Sequence, residues 1–347
     1  MNIDGKLLFA NHALCQAQAC GVSGGCRRIG MRPCDGCLAL DAGSPDDSSR
    51  VVGNGKVYER TVSRFEYRGK PAFAALWHEA TAGAEASELM LRQYDKMRRD
   101  IFHARSIQFS LLPKELAKAE GYEFGSLYKP SEEMSGDIFD LVRIGRDNMA
   151  FYIADVAGHG VTAAMLTVFF STAVRLEMRP TDMPGRVLGR IHHRFMSLQL
   201  EEQHYITAFL GRLELSTGRL FWSNAGHICP PILMNAESET QSLEMAGLPI
   251  CRWFKGQEYE TASGQMEPGG RLLLYSDGLE SQWYSSGNQE DLAEALGRIM
   301  AGTEPGDCLE EIWSTAGAGV DGGRNSDDTT LLMVSRNQSG GIEGQAC

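Results

Sequence analysis

M-A-F-Y-I-A-D-V-A-G-H-G, residues 149–160, runs from an apolar β-like stretch into a carboxylate and then into two closely spaced glycines. Asp155 falls where the strand runs out. Val156 and Ala157 offer backbone carbonyls beside it, and Gly158 and Gly160 allow a tight turn before a helix that starts at about Val161. A carboxylate so placed can bridge two cations while a neighbouring carbonyl completes one shell.

Three other motifs repeat the theme: S-G-D-I-F-D at 135–140, Y-S-D-G-L-E at 275–280 and D-D-T-T at 327–330. Asp277 follows the apolar run R-L-L-L-Y-S, Asp327 and Asp328 precede L-L-M-V-S, and Asp137 and Asp140 bracket Ile138 and Phe139. Aspartates at strand ends, with Gly beside two of the motifs, suit hard divalent cations, which prefer negative oxygen ligands. Unpaired carboxylates gathered in one place repel each other, so a metal is their natural partner. Two metals about 3.5–4 Å apart share a water, lower its pKa and clamp both oxygens of a phosphate ester. A single Asp-Gly is by default a surface turn; four such motifs together point to a site. The chain has no G-x-x-x-x-G-K-[ST] loop and no H-E-x-x-H.

The composition fits a globular protein of two or three domains: 347 residues, 43% hydrophobic and 22% charged. A formal charge of −12 argues against a nucleic-acid partner, which needs a basic surface. No apolar run approaches the ~20 residues of a membrane span. M-N-I-D-G-K lacks the layout of a signal peptide, so the chain reads as cytoplasmic. Five of the nine cysteines (Cys15, Cys20, Cys26, Cys34 and Cys37) fall before residue 38. In a cytosolic chain they are reduced structural thiols, or they hold Zn²⁺ or an iron–sulfur cluster.

Along the chain, residues 1–82 read as a small α/β module. It holds a hairpin at Asp4-Gly5, a polar loop at 41–50 and two strands in the 55–80 region. Over 83–112, Met90, Tyr94, Met97, Ile101, Ala104, Gln108 and Leu111 are spaced 4, 3, 4, 3, 4, 3, a heptad seam on one helix. That helix either packs on its own domain or joins two protomers as a coiled-coil linker. Residues 113–337 form the large domain, with strands expected at 122–129, 138–145, 149–155, 205–215, 219–224, 231–234, 271–276 and 329–335. Helices are expected at 161–178, 184–200, 289–301 and 306–316. Hairpins plus helix pairs suggest an α/β (α+β) class, with sheet packed on sheet and helices outside. Residues 338–347 read as a disordered tail.

The set L-L-P (111–113), S-G-D-I-F-D, A-D-V-A-G-H-G-V-T-A-A-M, N-A-G-H-x-x-P (224–230), G-L-P (247–249), Y-S-D-G-L-E-S and D-D-T-T-L-L resembles the SpoIIE/RsbU-type bacterial serine/threonine phosphatases of the PPM superfamily. The resemblance covers roughly 105–337. It implies an αββα sandwich holding two Mn²⁺ or Mg²⁺ ions, and hydrolysis of phosphoserine or phosphothreonine by a metal-activated water. It places Asp155 as the bridging, catalytic ligand, with the Val156 carbonyl on one metal. Asp277 and Asp327 take the second metal, with Asp328 as the fallback, and Asp137 holds metal-bound water or a third, weaker ion. Asn224 and His227 fall near the site, and Asp140 stays beside it without a fixed role. His159 lies four positions after the bridging Asp, where animal-type relatives place a His two after it; its expected part is to orient the loop.

The front domain resembles a PAS sensor. The order sensor, helix, phosphatase implies a homodimeric signalling enzyme in a partner-switching circuit. Its implied substrate is a phosphorylated STAS-domain anti-anti-sigma factor. Two rivals remain: a catalytically silent scaffold, and a phosphatase of a small phosphorylated molecule.

Overall fold

The computed structural model describes residues 49–338 except 54–55, 68–69, 80, 114–115, 117, 132–133, 159 and 318–326, with backbone alone for most of 49–88. The Asp4-Gly5 hairpin, the five N-terminal cysteines and residues 339–347 of the tail lie outside the described residues. The chain divides into two units, Met1–Arg98 and Arg99–Cys347.

In the first unit, β1 (Ser49–Gly53), β2 (Lys56–Tyr67) and β3 (Lys70–Glu79) form an antiparallel sheet in the order β1-β2-β3. The β2–β3 pair is the one expected from K-V-Y-E-R-T-V-S-R-F-E-Y and P-A-F-A-A-L-W-H-E. β1 begins inside the stretch read as a polar loop. Helix α1 (Thr81–Leu111) carries the heptad seam. Its halves differ. Met90, Tyr94 and Met97 are exposed, whereas Gln108 is buried and Leu111 packs on the core of the second unit.

The second unit stacks two five-stranded antiparallel sheets. One has the order β10 (Thr240–Ser242), β9 (Ile232–Met234), β12 (Arg271–Tyr275), β13 (Thr329–Arg336), β4 (Tyr122–Lys129). The other runs β11 (Ala262–Gln265), β8 (Arg219–Ala225), β7 (Ile206–Glu214), β6 (Asn148–Val156), β5 (Asp137–Arg143). Helices α2 (Val161–Glu177) and α3 (Pro184–Met196) cover the second sheet. Helices α4 (Asp277–Ser285), α5 (Leu292–Gly302) and α6 (Pro305–Thr315) cover the first.

Strand alternation sorts the side chains into three cores. On β6, Met149, Phe151 and Ile153 face the opposing sheet, while Ala150, Tyr152 and Ala154 meet α2 and α3. On β12 and β13, Leu272, Leu274, Leu332 and Val334 fill the space between sheets; Leu273, Tyr275, Leu331 and Met333 meet α4–α6. Both faces of these central strands are buried, so they read in sequence as unbroken apolar runs. The αββα layering expected for 113–337 is what the second unit has. Among the described residues no helix is long and apolar enough to cross a membrane.

In the second unit three elements escaped the sequence reading. β10 and β11 are three and four residues of mostly polar edge strand, formed by pairing with β9 and β8 rather than by any pattern of their own. The D-G at 277–278 opens α4 instead of a bare turn, because Leu279 and Trp283, one helical turn apart, bury against the first sheet.

Candidate functional site

The parity that builds the cores also builds the site. Asp137 shares a face with Phe139 and Leu141, and Asp155 with Phe151 and Ile153; all four of these apolar residues lie between the sheets. Asp137 and Asp155 stand directly opposite each other at the ends of β5 and β6. From the other sheet, Asp277 follows β12, and Asp327 and Asp328 precede β13. The strands thus deliver five carboxylates to one mouth of the sandwich, where the inter-sheet core gives out. Across that mouth the Thr330 hydroxyl donates to Asp137 Oδ2 at 2.6 Å.

These carboxylates oppose each other's ionisation. Burial, then the charges of Asp277, Asp327 and Asp328, push the Asp155 carboxyl up to about 7. Burial, then the facing Asp155, hold the Asp137 carboxyl well above the usual carboxylate range. Asp327 is also raised, by burial first and then by Asp277 and Asp328. Mutual elevation of this kind marks a place where bound positive charge would be strongly favoured. Among the described residues no three His, Cys, Asp or Glu side chains close on one point, so the arrangement is an open mouth and not a finished cage.

The two neighbouring aspartates of D-D-T-T differ sharply. Asp328 is buried, and its carboxylate is saturated. Oδ1 accepts from Ser131 N (2.7 Å) and Ser131 Oγ (2.9 Å), and Oδ2 from Ser135 Oγ (2.7 Å) and Gly136 N (2.8 Å). It ties the start of β13 to the chain entering β5. Asp327 Oδ1 accepts from the Asp328 N–H at 2.8 Å, and the side chain is otherwise open to solvent.

Gly136 tests whether the mouth suits a cation. A Cβ there would lie 3.0 Å from Val156 O, 3.1 Å from Asp155 Oδ1 and 3.6 Å from Gly158 O. The missing side chain therefore opens a small cradle whose wall is entirely oxygen, the donor type that Mn²⁺ and Mg²⁺ take. Val156 N–H is turned away to Gly136 O at 3.1 Å. Gly158 and Gly160, at φ +104° and +79°, shape the turn that follows. The residues present fit such a group.

Asn224 and His227 lie beside this mouth but spend their polar atoms on the scaffold. Asn224 Nδ2 donates to His227 O (2.9 Å) and Met245 O (2.7 Å), and its Oδ1 accepts from His227 N (2.7 Å). His227 Nε2–H donates to Tyr275 O at 3.0 Å, which fastens the loop to the end of β12. Burial depresses its imidazole to about 4. Asp140 points to the helical side, where Arg175 of α2 grips it through Nε (2.9 Å) and Nη2 (2.7 Å). His159 lies outside the described residues.

Sequence reading missed the hydroxyl and amide groups that hold the mouth in shape. They are Ser131, Ser135, Ser276, Thr330 and Gln108. For four of them the signal was there: hydroxyl residues inside or beside the acidic motifs.

A four-layer αββα sandwich with an acidic mouth places the second unit in the PP2C fold class. It shares that fold with the SiaA-PP2C domain of Pseudomonas aeruginosa, at 19% identity and TM-score 0.58 over 70% of this chain and 98% of that one. Residues 145–337, more than half of the sequence, match the family described as Stage II sporulation protein E (SpoIIE), and the chain belongs to that family. It is 30% identical over 185 residues to phosphoserine phosphatase RsbP of Bacillus subtilis (strain 168), covering 52% of this chain and 45% of that protein. It is 26% identical over 270 residues to Protein IcfG of Synechocystis sp. (strain ATCC 27184 / PCC 6803 / Kazusa), covering 69% of this chain and 42% of that one. The chain spans less than half the length of these curated relatives.

Proposed function

We propose that this chain is a metal-dependent protein serine/threonine phosphatase of the partner-switching type. Its substrate is a phosphoserine or phosphothreonine protein, a STAS-domain anti-anti-sigma factor by resemblance. The observation that carries the reading is the delivery of carboxylates from both sheets to one oxygen-lined mouth, where they raise one another. The phosphoserine phosphatase named among the relatives supports it.

In this reading Asp155 and the Val156 carbonyl would hold one cation, and Asp155 with Asp277 and Asp327 would hold a second. Asp327 takes this part rather than Asp328, whose oxygens already accept four hydrogen bonds. Asp137 adds charge behind Asp155 and is oriented by Thr330. When bound, a pair of Mn²⁺ or Mg²⁺ ions supplies an activated water and neutralises the phosphoryl oxygens. Water displaces the seryl oxygen at phosphorus, which releases inorganic phosphate and restores the hydroxyl. The acidic mouth repels a phosphate ester on its own, so turnover depends on added cation. The exposed Met90, Tyr94 and Met97 of α1 are the surface through which two copies pair.

The test is release of phosphate from a phosphoserine STAS protein with Mn²⁺ supplied. Turnover that vanishes with chelator and in Asp155→Asn and Asp277→Asn supports the reading. No turnover with Mn²⁺, or full activity in both variants, overturns it. Little calorimetric Mn²⁺ uptake would favour the scaffold, and turnover of a nucleotide but not a phosphopeptide would favour the small-molecule enzyme.

A further inference from the structure

The seam of α1 ends on an amide. Gln108 follows Ile101 and Ala104 and precedes Leu111 in an otherwise apolar row, yet it is only 1% exposed. Its carboxamide engages both backbone groups of one residue. Oε1 accepts the Ser135 N–H at 3.2 Å, and Nε2 donates to Ser135 O at 2.5 Å. This is the double hydrogen bond that two paired strands make, made here by a side chain. The second Nε2 hydrogen goes to Thr167 Oγ1 on α2 at 2.9 Å, and the Thr167 hydroxyl donates onward to Ala164 O at 2.7 Å. Every donor and acceptor of the amide's primary set is thus matched, as burial demands.

What Ser135 holds explains why this matters. Its hydroxyl and the Gly136 N–H both donate to Asp328 Oδ2. Gly136 O accepts from Val156 N, and the Gly136 Cα roofs the cradle formed by Asp155 Oδ1 and Val156 O. The next residue is Asp137, opposite Asp155. Asp328 and Val156 hold this segment from the two sheets; Gln108 holds it from a helix outside both.

We propose that Gln108 is a positioning residue for the carboxylate mouth: its amide fixes Ser135 and Gly136, and through them the oxygen cradle at Asp155 and Val156. The link to cation binding rests on the proposed function; the clamp on Ser135 does not.

Gln108→Met preserves length and burial but removes the amide. In the metal-free variant the Ser135 and Gly136 amides exchange with solvent faster than in the wild type. Calorimetry then gives a Mn²⁺ dissociation constant weakened by about tenfold, the scale seen when a group supporting a metal ligand is lost. Ile312→Val, in the core under α6, lowers the melting temperature without moving either readout, which separates positioning from general softening. A folded Gln108→Met with unchanged exchange and unchanged Mn²⁺ affinity overturns the proposal. Should that variant not fold, the wild type decides: Gln108 Oε1 is the acceptor for the Ser135 amide, so exchange there at the rate of an open loop overturns the proposal, and protection supports it. Wild-type protein that takes up no Mn²⁺ sinks the functional reading and leaves the clamp to be judged by exchange alone.

Discussion

A carboxylate raised to about 7 is held against its own preference, and that strain is measurable. Asp155 binds a proton more tightly in the folded chain than in the unfolded one. Its contribution to stability is therefore full below the ordinary carboxylate value and is lost as pH rises through 7. In metal-free protein at pH 8, Asp155→Asn removes this repulsion. The variant should be more stable than wild type by on the order of 2 kcal/mol, while turnover falls about 10³-fold or more. Thermal melts with chelator, beside phosphate release with Mn²⁺, check both halves of the expectation. His227 works with the opposite sign. Its imidazole is depressed to about 4, so the neutral ring that donates to Tyr275 O stabilises the fold above about 6.5 and that contribution is lost as pH falls through 4. Against His227→Gln, whose amide can also donate to that carbonyl, wild type should lose about 3 kcal/mol more between pH 6.5 and 4. Urea unfolding of the pair across that range reads the difference; parallel curves would show that His227 titrates normally.

Loops and strand ends, where the chain turns polar, carry the site, and they are also where sequence reading succeeded unevenly. M-A-F-Y-I-A and L-L-M-V-S announced central strands, because burial on both faces leaves a continuous apolar run. The aspartates that close these runs were therefore readable as strand-end groups. The family resemblance ranked Asp327 ahead of Asp328, but the residues alone do not separate them, because the difference arises from donors nearly two hundred residues away, at Ser131, Ser135 and Gly136. Likewise α4 hid behind Asp-Gly, since its helical state depends on Leu279 and Trp283 finding the first sheet. Gly136 shows what the local pattern did carry. S-G-D places a glycine where a methyl would sit 3.0 Å from Val156 O and 3.1 Å from Asp155 Oδ1. Gly136→Ala should fold, because its backbone is not among the positive-φ positions, yet Mn²⁺ affinity should fall by about tenfold or more. Equal affinity by calorimetry would mean that the cradle is not where the cation goes.

For the molecule as a whole, the heptad seam of α1 is the feature whose meaning changed most. Read from sequence, Met90 to Leu111 was one stripe with one destiny, either a partner helix or its own domain. The structure divides it. Leu111 and Gln108 are committed to the second unit, whereas Met90, Tyr94 and Met97 are 69%, 55% and 55% exposed. Three large apolar side chains at heptad spacing, left in water, are a surface that a second α1 would cover in register, and Leu91 beside them at 64% widens it. The full chain should therefore sediment as a dimer at micromolar concentration. Introducing like charges on the exposed half of the seam, Met90→Glu with Met97→Glu, should give monomers whose far-ultraviolet circular dichroism and Mn²⁺ affinity are unchanged, since both side chains are exposed. A double variant that remains dimeric would place the self-association elsewhere, and a wild-type monomer would leave this stripe to a partner other than a second copy.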